Sequence, residues 1–183
     1  MNQAAASPAQ VSGGQSSPAM TPGKGIMVLA VVVVVVAAYL LLTSALGLTE
    51  AWAGFLFLVC WSFSQLNPSK LAECAVGAFI GVLVAYALQR LPPVMGTVAY
   101  APILGVILVM VYCQIMGWLT MLVNLTTMTF LTIGAMPAVQ SHVSFPNLMA
   151  TLALGIAFFG GLVLAGHWFG RRAAARTDPA TTG

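Results

Sequence analysis

The sequence predicts an all-α protein, a polytopic membrane helical bundle with six transmembrane helices. Composition is the first observation behind this prediction: 60% of the 183 residues are hydrophobic, 5% are charged, and the mean hydropathy is +1.00. The second is that six basic and three acidic residues are too few to cover a soluble domain of this length. The third is a succession of apolar runs, several of them long enough to cross a bilayer as a helix.

The apolar runs extend from residue 25 to residue 172, between two polar tails. Residues 1–24 are rich in Ala, Ser, Gln, Gly and Pro, and we predict that they and residues 173–183 are disordered. The first apolar run is too long for the core of a signal peptide, so we expect it to remain as a span. The predicted spans are residues 26–48, 51–66, 69–89, 98–114, 118–136 and 147–169.

Local signals set the boundaries of these spans. Asn67 followed by Pro68 is typical of a helix cap with proline at the first helical position. The pair Pro92-Pro93 is predicted to end the third span. Span five is the most polar, with one asparagine and several threonines, and residues 137–147 are predicted to form a loop.

A few matching positions suggest that a three-span unit occurs twice, as an inverted 3+3 repeat; the alternative is that two apolar helix hairpins share these residues by chance. The first copy covers residues 25–91 and the second residues 102–170. An odd number of spans per copy gives the two copies opposite orientations in the bilayer, as in many small transporters and channels. The matching positions, separated by 75, 78 and 78 residues, are Phe55-Leu56 with Phe130-Leu131, Pro68 with Pro146, and Gly77 with Gly155.

The basic residues predict the orientation of the six spans. With both termini in the cytoplasm, five basic residues lie inside and one lies outside, in agreement with the positive-inside rule. A five-span alternative would place two of those five on the outside. The inside residues are Lys24, Lys70, Arg171, Arg172 and Arg176, and the outside residue is Arg90.

Four polar residues within the spans are candidates for a solute path. Glu73 is one turn into span three, where a carboxylate either serves as a proton or cation site or stabilises the helix N-terminus beside Lys70. Asn124 and Thr127 lie in span five, and Gln114 lies in span four. These three side chains either line a path or form hydrogen bonds between helices.

Small residues recur every four positions on two spans, which predicts close helix packing. Span three carries Gly77, Gly81 and Ala85. Span six carries Ala157, Gly161 and Ala165. Such faces let helix backbones approach closely, so we expect spans three and six to cross. The alternatives are a subunit contact in a homo-oligomer and a constriction where bare backbone lines a pore.

Several classes of function are excluded by the sequence pattern. The chain has no nucleophile–base set, phosphate-binding loop or dinucleotide motif, so it is not predicted to be an enzyme or to need a cofactor. The basic residues do not form a face interleaved with aromatic residues, so nucleic-acid binding is not predicted. Cys60, Cys74 and Cys113 are predicted to pack as small apolar residues, and no metal site is expected.

Three segments resemble a known family of membrane proteins. They are Trp52-Ala53-Gly54-Phe55, Lys70 after a short loop, and the closing stretch from Leu152 to Gly160. Together they resemble the small bacterial inner-membrane proteins of the domain-of-unknown-function family 1097, over about Val28 to Arg172. The resemblance implies an integral inner-membrane protein of five or six helices, and it supplies no catalytic or ligand residues.

Two functions remain as hypotheses at this point. The first is a transporter or channel for a small solute or ion, in contact with the lipid bilayer and acting as a homo-oligomer. The second is a structural or accessory membrane subunit that stabilises a partner protein. The second hypothesis predicts that the polar residues of span five are dry and hydrogen-bonded between helices.

Overall fold

The structure, a computed structural model, describes the chain from residue 22 to residue 176, with side chains from residue 25 to residue 172. Every element in the described range is helical, which confirms the predicted all-α class. Seven α-helices are present there: α1 (Pro22–Ala45), α2 (Trp52–Ser62), α3 (Leu71–Met95), α4 (Tyr100–Met116), α5 (Leu125–Gly134), α6 (Pro137–His142) and α7 (Phe145–Arg176).

Both tail predictions need correction at their inner edges. Helix α1 begins at Pro22, inside the predicted tail 1–24, and α7 continues to Arg176, inside the predicted tail 173–183. Proline is favourable in the first turn of a helix, and alanine at residues 173–175 favours continuation of α7. The remainder of both tails, residues 1–21 and 177–183, lies outside the described residues.

Three helical stretches are long and apolar enough to cross a membrane: Gly25–Ala45, Pro68–Met116 and Phe145–Arg172. The second stretch is 49 residues long and contains both α3 and α4. Helices α2 and α5 have 11 and 10 residues. At 1.5 Å per residue each is about 15 Å long, half the ~30 Å of a bilayer core. The predicted spans 51–66 and 118–136 are therefore wrong in length.

The ends of α1 and α2 differ from the predictions because positive-φ residues form turns there. Gly47, with a φ of 67°, ends α1 three residues before the predicted boundary, and the Leu48 amide donates to the Thr43 carbonyl at 2.9 Å. After α2, Gln65 and Leu66 have φ values of 54° and 52° and reverse the chain. These turns exclude residues 46–48 and 63–66 from the two spans.

The third helix does not end where its two prolines predict. Pro92 and Pro93 lie inside α3, which continues to Met95 and ends at Gly96, with a φ of 68°. Each proline removes one helical hydrogen bond, a loss that the rest of a long apolar helix tolerates. The predicted cap before α3 is confirmed, because the Asn67 side chain accepts from the Ser69 amide at 3.0 Å and Pro68 begins the turn that leads into α3.

The chain divides into two compact units within α1, one ending at Ala38 and the other beginning at Tyr39. In the first unit, the described side chains are largely exposed apolar groups, including Val31, Val32, Val33 and Val34. The second unit contains a core of buried residues from α2, α3, α5 and α7, with Trp61, Phe57, Phe130 and Phe145 among the largest.

Helix directions in the second unit follow from residue contacts. Tyr86 of α3 packs on Phe145 of α7 at a centroid distance of 5.5 Å, while Leu71 lies beside Gly160, so α3 and α7 are antiparallel. Two further pairs form the main helix crossings: α5 packs along α3, and α2 packs along α7. In both of these pairs the short helix runs parallel to the long one, because residue numbers increase together along the contact.

Candidate functional site

The first crossing joins the small-residue face of α3 to α5. A Cβ atom added at Gly77 would lie 2.5 Å from Oδ1 of Asn124 and 2.6 Å from Oγ1 of Thr127. One added at Gly81 would lie 2.9 Å from Cβ of Phe130 and against the Thr127 carbonyl oxygen. A side chain at Gly77 would collide with the side chains of Asn124 and Thr127, and one at Gly81 would collide with the α5 backbone, so glycine is favoured at both positions of α3.

The predicted crossing of the small-residue faces of spans three and six is wrong. Helix α5 covers the α3 face down to Ala85, whose Cβ lies 2.6 Å from a Cβ placed on Gly134. The α7 face with Ala157, Gly161 and Ala165 is exposed, and no atom lies within 4 Å of a Cβ at Gly161. At about 100° per residue, this face points away from the side of α7 that packs on α2.

The second crossing brings α2 and α7 together at two other glycines. A Cβ at Gly155 would lie 2.6 Å from Cα of Gly54, and a Cβ at Gly54 would meet the hydroxyl of Tyr39. Tyr39 is fully buried, and its hydroxyl has no hydrogen-bond partner among the described residues. Its ring packs on Phe159 at a centroid distance of 4.9 Å. Gly54 belongs to the segment that resembles the family, whereas no sequence signal singles out Tyr39.

Asn124 is the N-cap of α5 and lies at the start of that helix, not at the centre of a span. Its Oδ1 accepts from the Thr127 amide at 3.1 Å, and the Thr127 hydroxyl completes a capping box with the Asn124 amide. Its Nδ2 donates to the Glu73 carbonyl oxygen at 2.8 Å, across the α3–α5 crossing. Both polar atoms of this side chain are therefore engaged, Oδ1 in capping α5 and Nδ2 in attaching α5 to α3.

Thr127 is equally committed to structure. Its side chain is fully buried, and its hydroxyl donates to the Leu122 carbonyl oxygen at 2.9 Å. Thr129 and Thr132 donate to carbonyl oxygens one turn earlier, at 2.8 Å each. The polar residues of the predicted span five therefore form local and interhelical hydrogen bonds.

Glu73 lies in the first turn of α3 with its carboxylate at the surface. Lys70 donates to both carboxylate oxygens at 2.8 Å, and this is the one ion pair among residues 25–172. The two side chains are 49% and 30% exposed, so the pair adds at most a few tenths of a kcal/mol to stability. The negative carboxylate also interacts favourably with the positive end of the helix dipole. This contact corresponds to the structural one of the two roles predicted for Glu73.

Gln114 does not join the other three candidates. It is exposed near the C-terminal end of α4. Of the four predicted path residues, the structure brings together Asn124, Thr127 and the backbone of Glu73, and it leaves the Glu73 carboxylate and Gln114 at the surface.

A second set of polar contacts, at the opposite end of α3, was missed by the sequence analysis. Nε2 of Gln140 in α6 donates to the carbonyl oxygens of Ala85 and Gly134, and Nε2 of Gln89 donates to the Gln140 carbonyl oxygen at 2.6 Å. These bonds attach α6 to α3 and α5. The signal was present, because Gln89 and Gln140 are isolated amides in an apolar chain.

The three cysteines are free and buried, in agreement with the prediction that they pack as small apolar residues. Among the side chains that the structure describes, no group of three or more histidine, cysteine, aspartate or glutamate residues could hold a metal ion. The described part of the chain offers the two helix crossings as its candidate functional feature.

No family model, curated protein or solved structure matches the chain. The fold and the site together are compatible with an integral membrane protein whose apolar helices contact lipid.

Proposed function

We propose that this chain is a six-span membrane protein built from two inverted three-helix repeats, and that it moves a small solute or an ion across the bilayer. Repeat A consists of α1, α2 and α3, and repeat B consists of α4, α5 and α7. The observation that carries the proposal is the pair of helix crossings. In each crossing the short middle helix of one repeat packs on the long last helix of the other.

Equivalent residues occupy equivalent places in the two crossings. Gly77 and Gly155 are 78 residues apart, and each lies in a crossing: an added Cβ would meet side chains of α5 at Gly77 and the backbone of α2 at Gly155. The contact of Gly81 with Phe130 corresponds, with the same sequence offsets, to the contact of Phe159 with Phe55, whose ring centroids are 6.0 Å apart. This corresponding contact supports the repeat.

The directions of the helices also fit an inversion. Helices α3 and α7 are the corresponding last helices of the two repeats, and they are antiparallel. A rotation by 180° about an axis in the membrane plane would exchange them. It would also exchange the α3–α5 crossing with the α7–α2 crossing, as the proposal requires.

The short helices favour transport over a purely structural role. Unusually short apolar segments at corresponding positions of two inverted halves mark the binding region in known secondary transporters. Here α2 and α5 have 11 and 10 residues and correspond in the two repeats. Helices of this length leave room in the bilayer for polar groups or water at their ends, where a solute could bind.

An accessory role is the second candidate, and a specific observation favours it. The hydrogen bonds of Asn124 and Thr127 leave no free polar group on α5 at the α3–α5 crossing. A dry crossing of this kind is what a structural subunit requires. In the transport proposal, the conformation with this dry crossing is the closed state of the transporter. The solute passes when the two repeats move relative to each other.

The cellular setting follows from the resemblance and from the charges. We place the protein in the bacterial inner membrane with both termini in the cytoplasm, as a homo-oligomer. The resemblance to family 1097 and the positive-inside distribution support the location, and the exposed face of Ala157, Gly161 and Ala165 supports self-association.

Reversible cross-linking of α2 to α7 tests the transport proposal. Oγ1 of Thr49 and Nδ2 of Asn147 are 2.9 Å apart where these two helices begin. In a chain with its native cysteines replaced by alanine, Thr49→Cys and Asn147→Cys would be joined by a short bifunctional thiosulfonate. Proteoliposomes would then be assayed for potassium conductance, chloride conductance and glycerol permeability.

We expect at least one of these fluxes to exceed that of protein-free liposomes, to fall on cross-linking and to return with dithiothreitol. Each single-cysteine variant, treated with the same reagent, is the matched control and keeps its flux. We expect Glu73→Gln to show the same flux as the wild type, with the same dependence of that flux on pH, because the carboxylate is paired with Lys70 at the surface. Absence of all three fluxes, together with a stoichiometric partner after purification in mild detergent, would favour the accessory role instead.

A further inference from the structure

A polar cleft lies at the end of the second unit where α3 ends and α7 begins. Its volume is about 510 Å³. It is lined by Tyr86, Arg90 and Val94 of α3, by Ser144 immediately before α7, and by Phe145 and Pro146 at the start of α7.

Arg90 gives this cleft a positive charge, and no carboxylate among residues 25–172 neutralises it. The described residues carry two carboxylates, and both are engaged elsewhere. Glu50 accepts from the indole of Trp52 at 2.7 Å, and Glu73 pairs with Lys70 at 2.8 Å. The exposed guanidinium of Arg90 lies 5.6 Å from the ring centroid of Tyr86, which holds it at the cleft.

An apolar groove adjoins the cleft on the neighbouring side of α3. Its volume is about 360 Å³. Its lining contains no polar side chain: Leu83, Val84, Ala87, Leu91, Pro102, Ile103 and Val106. Leu83, Ala87, Arg90 and Val94 follow one another at helical spacing, so the groove and the cleft meet along a single ridge of α3.

We propose that the cleft and the groove together bind one acidic phospholipid. The phosphate of the headgroup accepts hydrogen bonds from the Arg90 guanidinium, and an acyl chain lies in the groove between α3 and α4. An arginine near the end of an apolar helix extends to the membrane interface, where lipid phosphates are found. The unpaired cation selects an anionic headgroup, and the apolar groove selects a lipid over a free anion.

The test is the thermal stability of the purified full-length protein in detergent. A ligand that binds only the folded state raises its melting temperature. We expect dioleoyl phosphatidylglycerol to raise it and dioleoyl phosphatidylcholine, with the same acyl chains, to have a much smaller effect. Inorganic phosphate alone is expected to have no effect, because it cannot occupy the groove.

Variants of the two halves of the site complete the test. Arg90→Gln should raise the concentration of phosphatidylglycerol that gives half of the full stabilisation by about tenfold or more, as expected for the loss of a charge-assisted hydrogen bond. Arg90→Lys should raise that concentration less. Ala87→Phe, which fills the groove, should raise it as well. Arg171→Gln, at the opposite end of the second unit, is the control and should respond like the wild type.

Three results would overturn the lipid site. They are an equal response to both lipids, an unchanged phosphatidylglycerol response in Arg90→Gln, and equal stabilisation by inorganic phosphate. Arg90 is exposed, so its substitution is expected to leave the fold intact, and elution of each variant at the wild-type volume in size-exclusion chromatography checks this. The result does not depend on transport, because the readout is lipid binding alone.

Discussion

Replacement of Gly81 by leucine is expected to abolish the folded protein. A Cβ at this position meets the Thr127 carbonyl oxygen and lies 3.0 Å from the Leu131 amide nitrogen, so the backbone of α5 would have to move. Overpacking of a core costs typically about 1–3 kcal/mol, and a contact with backbone on the facing helix leaves little room for relaxation. We expect the cost here to reach or exceed the upper end of that range.

The measurement is the yield and the melting temperature of detergent-solubilised protein, followed by size-exclusion chromatography. Gly105→Leu is the matched control, because Gly105 is also in an apolar helix but has no atom within 4 Å of an added Cβ. Gly105→Leu should be produced at the wild-type level. A normal yield and a normal elution volume of Gly81→Leu would contradict the close contact of α3 with α5.

Replacement of Gly155 by leucine is expected to have a similarly large effect at the other crossing. An added Cβ would lie 2.6 Å from Cα of Gly54, and the rest of the leucine side chain would separate α7 from α2. The physical reason is the same as for Gly81, since backbone and not a flexible side chain fills the space. Melting in detergent again measures the effect, with Gly166→Leu as the control at a position without neighbours.

Tyr39→Phe provides a contrast at the same crossing, because it removes an atom instead of adding one. The Tyr39 hydroxyl is buried without a hydrogen-bond partner among the described residues, an arrangement that costs about 1–3 kcal/mol. Tyr39→Phe should therefore match or exceed the wild-type melting temperature.

If Gly155→Leu were as stable as Gly166→Leu, the close contact of α2 with α7 would be contradicted.

The class of the fold could be predicted from composition, while the lengths of two helices could not. Apolar content indicates helices in lipid, but it does not show where a helix stops. Helix α5 is short because Asn124 caps it and the preceding residues form turns, including Leu119 with a φ of 53°. An asparagine between apolar residues is equally compatible with the middle of a span, so only its hydrogen bonds identify the cap.

The candidate site was predictable in part. The four-residue spacing of Gly77, Gly81 and Ala85 identified a close-packed face, but spacing on one helix does not name the helix that covers it. The same spacing at Ala157, Gly161 and Ala165 led to the wrong partner, because those residues are exposed. Pairing of faces depends on the rotation of every helix about its axis, which a single sequence does not specify.

Cysteine labelling from the two sides of the membrane tests the inverted arrangement most directly. In the chain without native cysteines, one cysteine would replace Ser69 at the start of α3, and in a second variant one would replace Ser141 in α6. Both serines are exposed, and they lie at opposite ends of α3 in the second unit. The reagent would be a membrane-impermeant maleimide, applied to intact cells and to lysed cells.

We expect Ser141→Cys to be labelled in intact cells and Ser69→Cys to be labelled only after lysis. Thr120→Cys, in the turn before α5, should behave like Ser69→Cys, because α5 begins beside the start of α3. Labelling of Ser69→Cys and Ser141→Cys from the same side would mean that α3 does not cross the membrane, and it would contradict the inverted repeat.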